Sequence, residues 1–136
     1  MTLTPLICNF TFFLLYSYKF LYIYLMTIKP VEFLGDSLEN LRTFPNSARQ
    51  EAGFQLDLVQ RGAEPNDWKF MTTIGQGVKE IRTRDEAGTF RVVYLAKLAD
   101  AIYVLHCFQK KTQETSQKDI RLARKRYKDL MKEQQQ

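Results

Sequence analysis

Residues 78–112 read VKEIRTRDEAGTFRVVYLAKLADAIYVLHCFQKKT. Three short runs of β-branched and aromatic residues, 78–84, 90–96 and 101–108, are separated by two turn-forming links. The first link, Asp85-Glu86-Ala87-Gly88, is short and polar and ends in glycine, so it predicts a hairpin. The second, Leu98-Ala99-Asp100, returns the chain once more. The stretch therefore predicts a three-stranded antiparallel meander, and the rest of the chain has to cover it.

Moving toward the C-terminus, residues 113–116 form a polar loop whose last residue, Ser116, is placed to cap a helix from 117 to about 133. Ile120, Ala123, Tyr127 and Leu130 share one side of that helix, and Lys118, Arg121, Lys125, Lys128 and Lys132 lie on others. Toward the N-terminus, residues 28–34 alternate loosely and end at Gly35, a candidate first strand, with Pro30 pointing to an edge or a strand beginning. Asp36 or Ser37 caps a short helix with Leu38 and Leu41 on one face, which Phe44-Pro45 ends. Asn46 or Ser47 then caps a second helix to about residue 61. Its apolar set is Ala48, Ala52, Leu56 and Val59, widened by Phe54 and Leu58, and Gly62 closes it. The two helices form an antiparallel hairpin on one sheet face. Residues 63–67 are a loop. Residues 68–71 form a further strand segment or an extended crossing, with Trp68 at the core edge. Gly75-Gln76-Gly77 lacks the Lys-Ser/Thr of a phosphate loop and reads as a turn into the meander. The expectation is a small α+β domain: about four strands in an antiparallel or mixed sheet, an N-terminal helical hairpin and a C-terminal basic helix.

The chain has 136 residues, enough for one domain with one core. Twenty Lys and Arg against fifteen Asp and Glu give a formal charge of +5. The excess is local, because residues 110–136 alone carry nine basic and four acidic side chains. A basic end on a near-neutral body points to a polyanionic partner; the plainer reading is a solvated helix face. Cys8 and Cys107 stand in unrelated contexts and the only histidine is His106, so no disulfide, metal or other cofactor is indicated. Residues 1–26 differ from the rest. They hold eight of the eighteen aromatic residues and one charge, Lys19. They lack the basic start and small-residue cleavage site of a signal peptide, and Asn9, Ser17 and Lys19 interrupt them as a membrane span. Their Phe, Tyr, Leu, Ile, Lys and Asn are the residues of AT-rich codons, which predicts an apolar extension upstream of a true start at Met26. The expected location is cytoplasmic, with no membrane partner.

No nucleophile–base arrangement is visible: there is one histidine and no Gly-x-Ser-x-Gly. The meander instead carries cations, with Lys79, Arg82, Arg84 and Arg91 on the hairpin and His106, Lys110 and Lys111 at the end of the third strand. RNA is cut through its own 2′-hydroxyl when a base, cations for the phosphorane charge and an acid for the leaving oxygen are supplied. Arg and Lys suit the cationic part. His106 is either a proton-transfer group or a core-face histidine satisfied by a backbone carbonyl, alternating with Ile102, Val104 and Phe108. Arg82 is either functional or an ion-pair partner of Glu80 or Asp85. Lys110 and Lys111 fit phosphate or rRNA contact better than a basic role. Phe108 and Phe90 either stack on a base or are buried.

Three motifs then carry a resemblance: Glu80-Ile81-Arg82, Gly88-Thr89-Phe90-Arg91-Val92-Val93-Tyr94, and Leu105-His106-Cys107-Phe108-Gln109-Lys110-Lys111-Thr112-Gln113. In order and spacing they resemble the HigB-like toxins of the RelE/ParE superfamily, phage-derived toxin-like proteins. The resemblance covers most of residues 28–136 and makes 27–136 the toxin domain. It implies a RelE-like fold and a type II toxin that cleaves mRNA on the ribosome as a metal-independent endoribonuclease. A HigA-like helix-turn-helix antitoxin is the implied partner. Arg91 takes the position of the arginine in the [FY]-R-V-V-Y strand, with Arg82 and Lys110 or Lys111 as further transfers. The expected catalytic set is Arg91, Arg82, His106 and Lys110, and the expected RNA contacts are Lys79, Arg84, Lys111, Phe108, Lys118 and Arg121. Tyr127 has core spacing and receives no catalytic role. The last helix contacts RNA or is covered by an acidic antitoxin segment. A ParE-like gyrase poison, which would not need the strand cations, and an inactive phage remnant are the rival readings.

Overall fold

A computed structural model of the chain describes residues 14–23 and 28–136. The predicted meander is its centre. Strands β3 (Val78–Asp85), β4 (Gly88–Leu95) and β5 (Ile102–Lys110) pair antiparallel in sequence order. The hairpin between β3 and β4 is tighter than expected. Asp85 pairs with Gly88, so only Glu86 and Ala87 remain in the loop, and the Ala87 amide donates to Asp85 Oδ1 at 2.7 Å. Gly88 adopts φ +136°, which a side chain would resist.

Two short strands complete a five-stranded mixed sheet of order β1-β5-β4-β3-β2. Strand β1 (Val31–Phe33) runs parallel to β5, with Pro30 just before its start at the sheet edge, as expected. Strand β2 (Trp68–Phe70) pairs antiparallel with β3, so residues 68–70 are a strand and not a crossing, and Met71 lies just past its end.

Helices α1 (Ser37–Arg42) and α2 (Asn46–Gln60) lie on one face of the sheet. Ala48 and Ala52 are fully buried, letting α2 approach closely, and Leu41, Phe44, Leu56 and Val59 fill the space against Ile81, Phe90, Val92, Tyr94, Ile102, Val104 and Cys107. Two details depart from the expected pattern. Phe54 does not widen the stripe; it is 53% exposed, and Gln55 takes the buried position. The Gln55 side-chain oxygen accepts from the Asn66 amide and its nitrogen donates to Glu51, so burial leaves no polar atom unpaired. Neither Asn46 nor Ser47 caps α2, because Pro45 occupies the cap position. Asn46 accepts from Arg49, and Ser47 donates to Asp85 at 2.9 Å, tying the helix to the hairpin tip. Similarly, Asp36 sits at the start of α1 without capping it, and its carboxylate serves Arg126 instead.

Helix α3 (Gln117–Gln134) covers part of the opposite face, capped as expected by Ser116, whose Oγ accepts from the Asp119 amide. Ile120, Ala123, Tyr127 and Leu130 pack with Val78, Val93, Leu95, Tyr103 and Leu105. Polar contacts fix the helix further: Arg124 donates twice to the Thr73 carbonyl, and Arg126 donates to the Leu105 carbonyl and to Asp36.

Residues 14–23 are helical, and their large side chains are all more than half exposed. Among the described residues no helix is long and apolar enough to cross a membrane. Cys8 and the expected start at Met26 lie outside the described residues. Cys107 is a free thiol, and its burial pushes its pKa up to about 12, so it is inert packing.

Candidate functional site

Side chains alternate across a strand. Register therefore assigns Glu80, Arg82 and Arg84 of β3, Thr89 and Arg91 of β4, and Phe108 and Lys110 of β5 to the α3 face of the sheet. Helix α3 covers only the apolar part of that face. The rest is a charged surface that the helix does not reach.

Its centre is Glu80, which is fully buried. Arg91 Nε lies 3.1 Å from Glu80 Oε1, Arg82 Nε 3.8 Å and Lys69 Nζ 3.9 Å. Arg82 also reaches Asp67 at 3.8 Å. Arg91 is itself 5% exposed, so its guanidinium is an interior charge neutralised by Glu80. Burial lowers the Arg91 pKa, Glu80 opposes that, and Arg82 adds to it. Glu80 Oε2 has no hydrogen-bond partner. The outer members are more accessible: the side chains of Arg82 and Lys69 are 30% and 39% exposed. Lys110 stands beside them with its pKa lowered, first by partial burial and then by Arg91 and Lys69. Lys110 lines two clefts. One, of about 740 Å³, is bounded by α1, the end of β5 and the start of α3, with His106, Lys111 and Lys118 in its wall. The other, of about 370 Å³, is lined by Lys69, Thr115 and Gln117.

The sequence-predicted residues separate into groups. Arg82, Arg91 and Lys110 come together, with Arg84 exposed at the margin. Arg82 is ion-paired to Glu80 and Asp67 and not to Asp85, whose carboxylate is taken by Ser47 and the hairpin amide. Lys79 does not join them. It is an odd number of positions from Arg82, so it projects through the other face, where it pairs with Glu64 at 2.8 Å and sits 4.4 Å above the Trp68 ring. His106 is 5% exposed, and its partner is not a backbone carbonyl but Asp119, with Nε2 to Oδ1 at 2.7 Å. It stacks on the half-buried Phe108 at 5.1 Å. Nor does His106 alternate with Ile102 and Val104. A bulge in the pairing between Val93 and Tyr94 places Val93 opposite His106 and Tyr94 opposite Val104, so Leu105 is the extra residue and the alternation shifts. Phe90 is buried beneath α1 and α2. Lys111, Lys118 and Arg121 are exposed around the N-terminal end of α3.

Lys69 and Glu80 were not among the expected site residues. The signal for both was strand alternation: Lys69 between Trp68 and Phe70, and Glu80 two residues before Arg82 on its face.

Residues 39–128 match the family described as phage derived protein Gp49-like (DUF891). The match spans more than half of the chain and runs from α1 into the second half of α3, so it contains the whole Glu80 cluster. The chain belongs to the Gp49-like family. This is a phage-derived, toxin-like family related to the RelE/ParE superfamily. No curated protein matches the chain significantly. In this Gp49-like chain the family match includes β3, β4 and β5, whose register brings the cations together.

Proposed function

We propose that this Gp49-like chain is the toxin of a toxin–antitoxin pair and cleaves mRNA on the ribosome through the RNA's own 2′-hydroxyl, without a metal ion. A HigA-like helix-turn-helix protein is its proposed antitoxin. The observation that carries the reading is the convergence of Lys69, Arg82 and Arg91 on Glu80, with Lys110 alongside and its pKa lowered.

Each group has a distinct role. The neutral amine of Lys110 takes the 2′-hydroxyl proton while the 2′ oxygen attacks phosphorus. Burial, with the neighbouring Arg91 and Lys69 charges, shifts its pKa in the direction that favours that form over an ordinary lysine. Arg82, with Arg84 at the margin, binds the phosphate oxygens as charge accumulates. The bond to the 5′ oxygen breaks, and the Lys69 ammonium supplies its proton. Products are a 2′,3′-cyclic phosphate and a 5′-hydroxyl. Arg91 and His106 are buried and act as positioning residues. Arg91 fixes Glu80, toward which Arg82 and Lys69 are drawn, and His106 fixes Asp119 at the start of α3 beside the larger cleft.

The test is inducible expression of the full chain, wild type beside Arg82→Ala and Lys110→Ala, with mRNA ends mapped by primer extension. Growth arrest with new internal cuts, lost in both variants while they remain folded, is the expected result. Arrest with DNA damage and no RNA cuts would instead indicate a gyrase poison.

A further inference from the structure

Helix α3 has an outward face that the proposed cleavage site does not use. Lys118, Arg121, Lys125, Lys128 and Lys132 follow a three-four-three-four spacing and are all exposed. At 3.6 residues per turn they fall within about 80° of arc and extend along about 21 Å of helix. The opposite side holds Ala123, Tyr127 and Leu130 in the core, while Arg124 and Arg126 turn inward to backbone carbonyls. Of the seven cations on α3, these five are thus the ones with no inward contact among the described residues. Lys125 pairs with Asp129 at 3.8 Å, and the other four make no ion pair or hydrogen bond among the described residues. At its N-terminal end the stripe meets Lys110 and Lys111, since Lys118 shares their cleft.

We propose that this stripe is a docking rail for the phosphate backbone of double-stranded RNA, leading away from the cleavage site. The inference rests on the ribonuclease reading in taking RNA as the polyanion. Three features favour a duplex backbone over other anions. The rail is rigid and straight, with a cation about every 5 Å, which suits a regular line of phosphates. It has no aromatic residue, whereas proteins that hold single strands stack bases on aromatic rings. It is also lysine-rich with no apolar anchor, whereas protein–protein interfaces are depleted in lysine and depend on buried aromatic or aliphatic anchors.

The test is fluorescence anisotropy of an RNA duplex of about 20 base pairs with the full-length chain between roughly 50 and 300 mM KCl. The variant Lys125→Gln/Lys128→Gln/Lys132→Gln removes three exposed charges that make no inward contact. Its binding should weaken by roughly ten- to a hundredfold near 150 mM salt, and the slope of log affinity against log salt should fall by about 2–3. The corresponding triple Arg variant should bind like wild type. Arg82→Ala should change the slope by no more than about one, because it removes at most one phosphate contact. Unchanged affinity and slope in the triple Gln variant would overturn the rail. So would stripe-dependent binding of poly-glutamate with none of the RNA duplex, which would assign the face to an acidic protein segment. If cells show no mRNA cuts while duplex binding stays stripe-dependent, the ribonuclease reading fails and the rail stands.

Discussion

At the residue scale, Glu80 and Arg91 form an interior ion pair whose members have different neighbours. Glu80→Gln keeps the shape but leaves the buried Arg91 guanidinium without its counter-charge. Breaking a buried pair from one side is expected to cost about 3–5 kcal/mol, read as a lower urea midpoint at unchanged m value. Arg82 reaches the same carboxylate from a more exposed position, at 3.8 Å. Arg82→Ala should therefore cost about 1 kcal/mol or less of stability while abolishing cleavage. If Arg82→Ala unfolds the protein as readily as Glu80→Gln, the division between interior support and substrate contact is wrong. Lys110 makes a second prediction. Partial burial and the Arg91 and Lys69 charges lower its pKa, favouring the neutral amine. The cleavage rate should thus rise with pH through an apparent value below the ordinary lysine value of about 10.4, and Lys110→Met should remove that limb. Loss of the Lys69 proton gives a falling limb at higher pH, so the result that would exclude Lys110 as the base is a wild-type profile with no rising limb below that value.

At the element scale, α3 is held to the sheet by polar clamps as well as by its apolar side. One is the Arg126 guanidinium between the Leu105 carbonyl and Asp36, passing beside Gly35. The Arg126 hydrogen bond and charge hold the Asp36 carboxyl below its ordinary value. A carboxyl depressed in the folded state contributes stability at pH above its unfolded value and loses it as pH falls through the lower folded value. Asp36→Asn should therefore be less stable than wild type near neutral pH and show a shallower loss on acidification, the difference closing as pH falls through the lowered folded value. A difference that persists equally at neutral and acid pH would assign the contact to packing alone. Gly35 adds a steric test. Its φ is +56°, and a Cβ there would meet the Arg126 guanidinium at 2.5 Å, so Gly35→Ala should cost about 1–2 kcal/mol.

The elements were largely legible in sequence because each announces itself locally. Alternating β-branched residues around Gly88 give the hairpin, Ser116 marks the start of α3, and Ile120, Ala123, Tyr127 and Leu130 give its inward side. What could not be read locally depends on partners. Pro45 takes the cap position of α2, while Asn46 accepts from Arg49 and Ser47 donates to Asp85. The bulge opposite Val93 and Tyr94 is set by the pairing of two strands, so no pattern within β5 reveals that His106 and Val104 face different ways. The site was legible in kind but not in membership. Basic residues on the meander are visible in sequence, but Lys79 and Arg82 lie an odd number of positions apart and face opposite ways. The partners of Glu80, Lys69 and Arg91, come from the neighbouring strands β2 and β4.

At the scale of the whole molecule, two helical layers stabilise opposite faces of one sheet, and α3 stops short of covering its face. That incomplete cover leaves a charged surface beside the two clefts that Lys110 lines. Helical residues 14–23 contribute exposed side chains and not core. A chain begun at Met26 is accordingly expected to unfold at the same urea midpoint as the full chain, within about 0.5 kcal/mol. A clear loss would show that the preceding segment supports the fold.

The most direct test of the central claim is the chemistry of the RNA ends. Messenger RNA from cells expressing the full chain would be offered to polynucleotide kinase with and without prior phosphatase treatment, and the new internal 5′ ends followed. Attack by the 2′-hydroxyl predicts ends that accept label without phosphatase, because they carry a 5′-hydroxyl, and predicts their absence in Arg82→Ala. New ends that label only after phosphatase carry a 5′-phosphate. They would contradict the mechanism built on Lys110, Arg82 and Lys69.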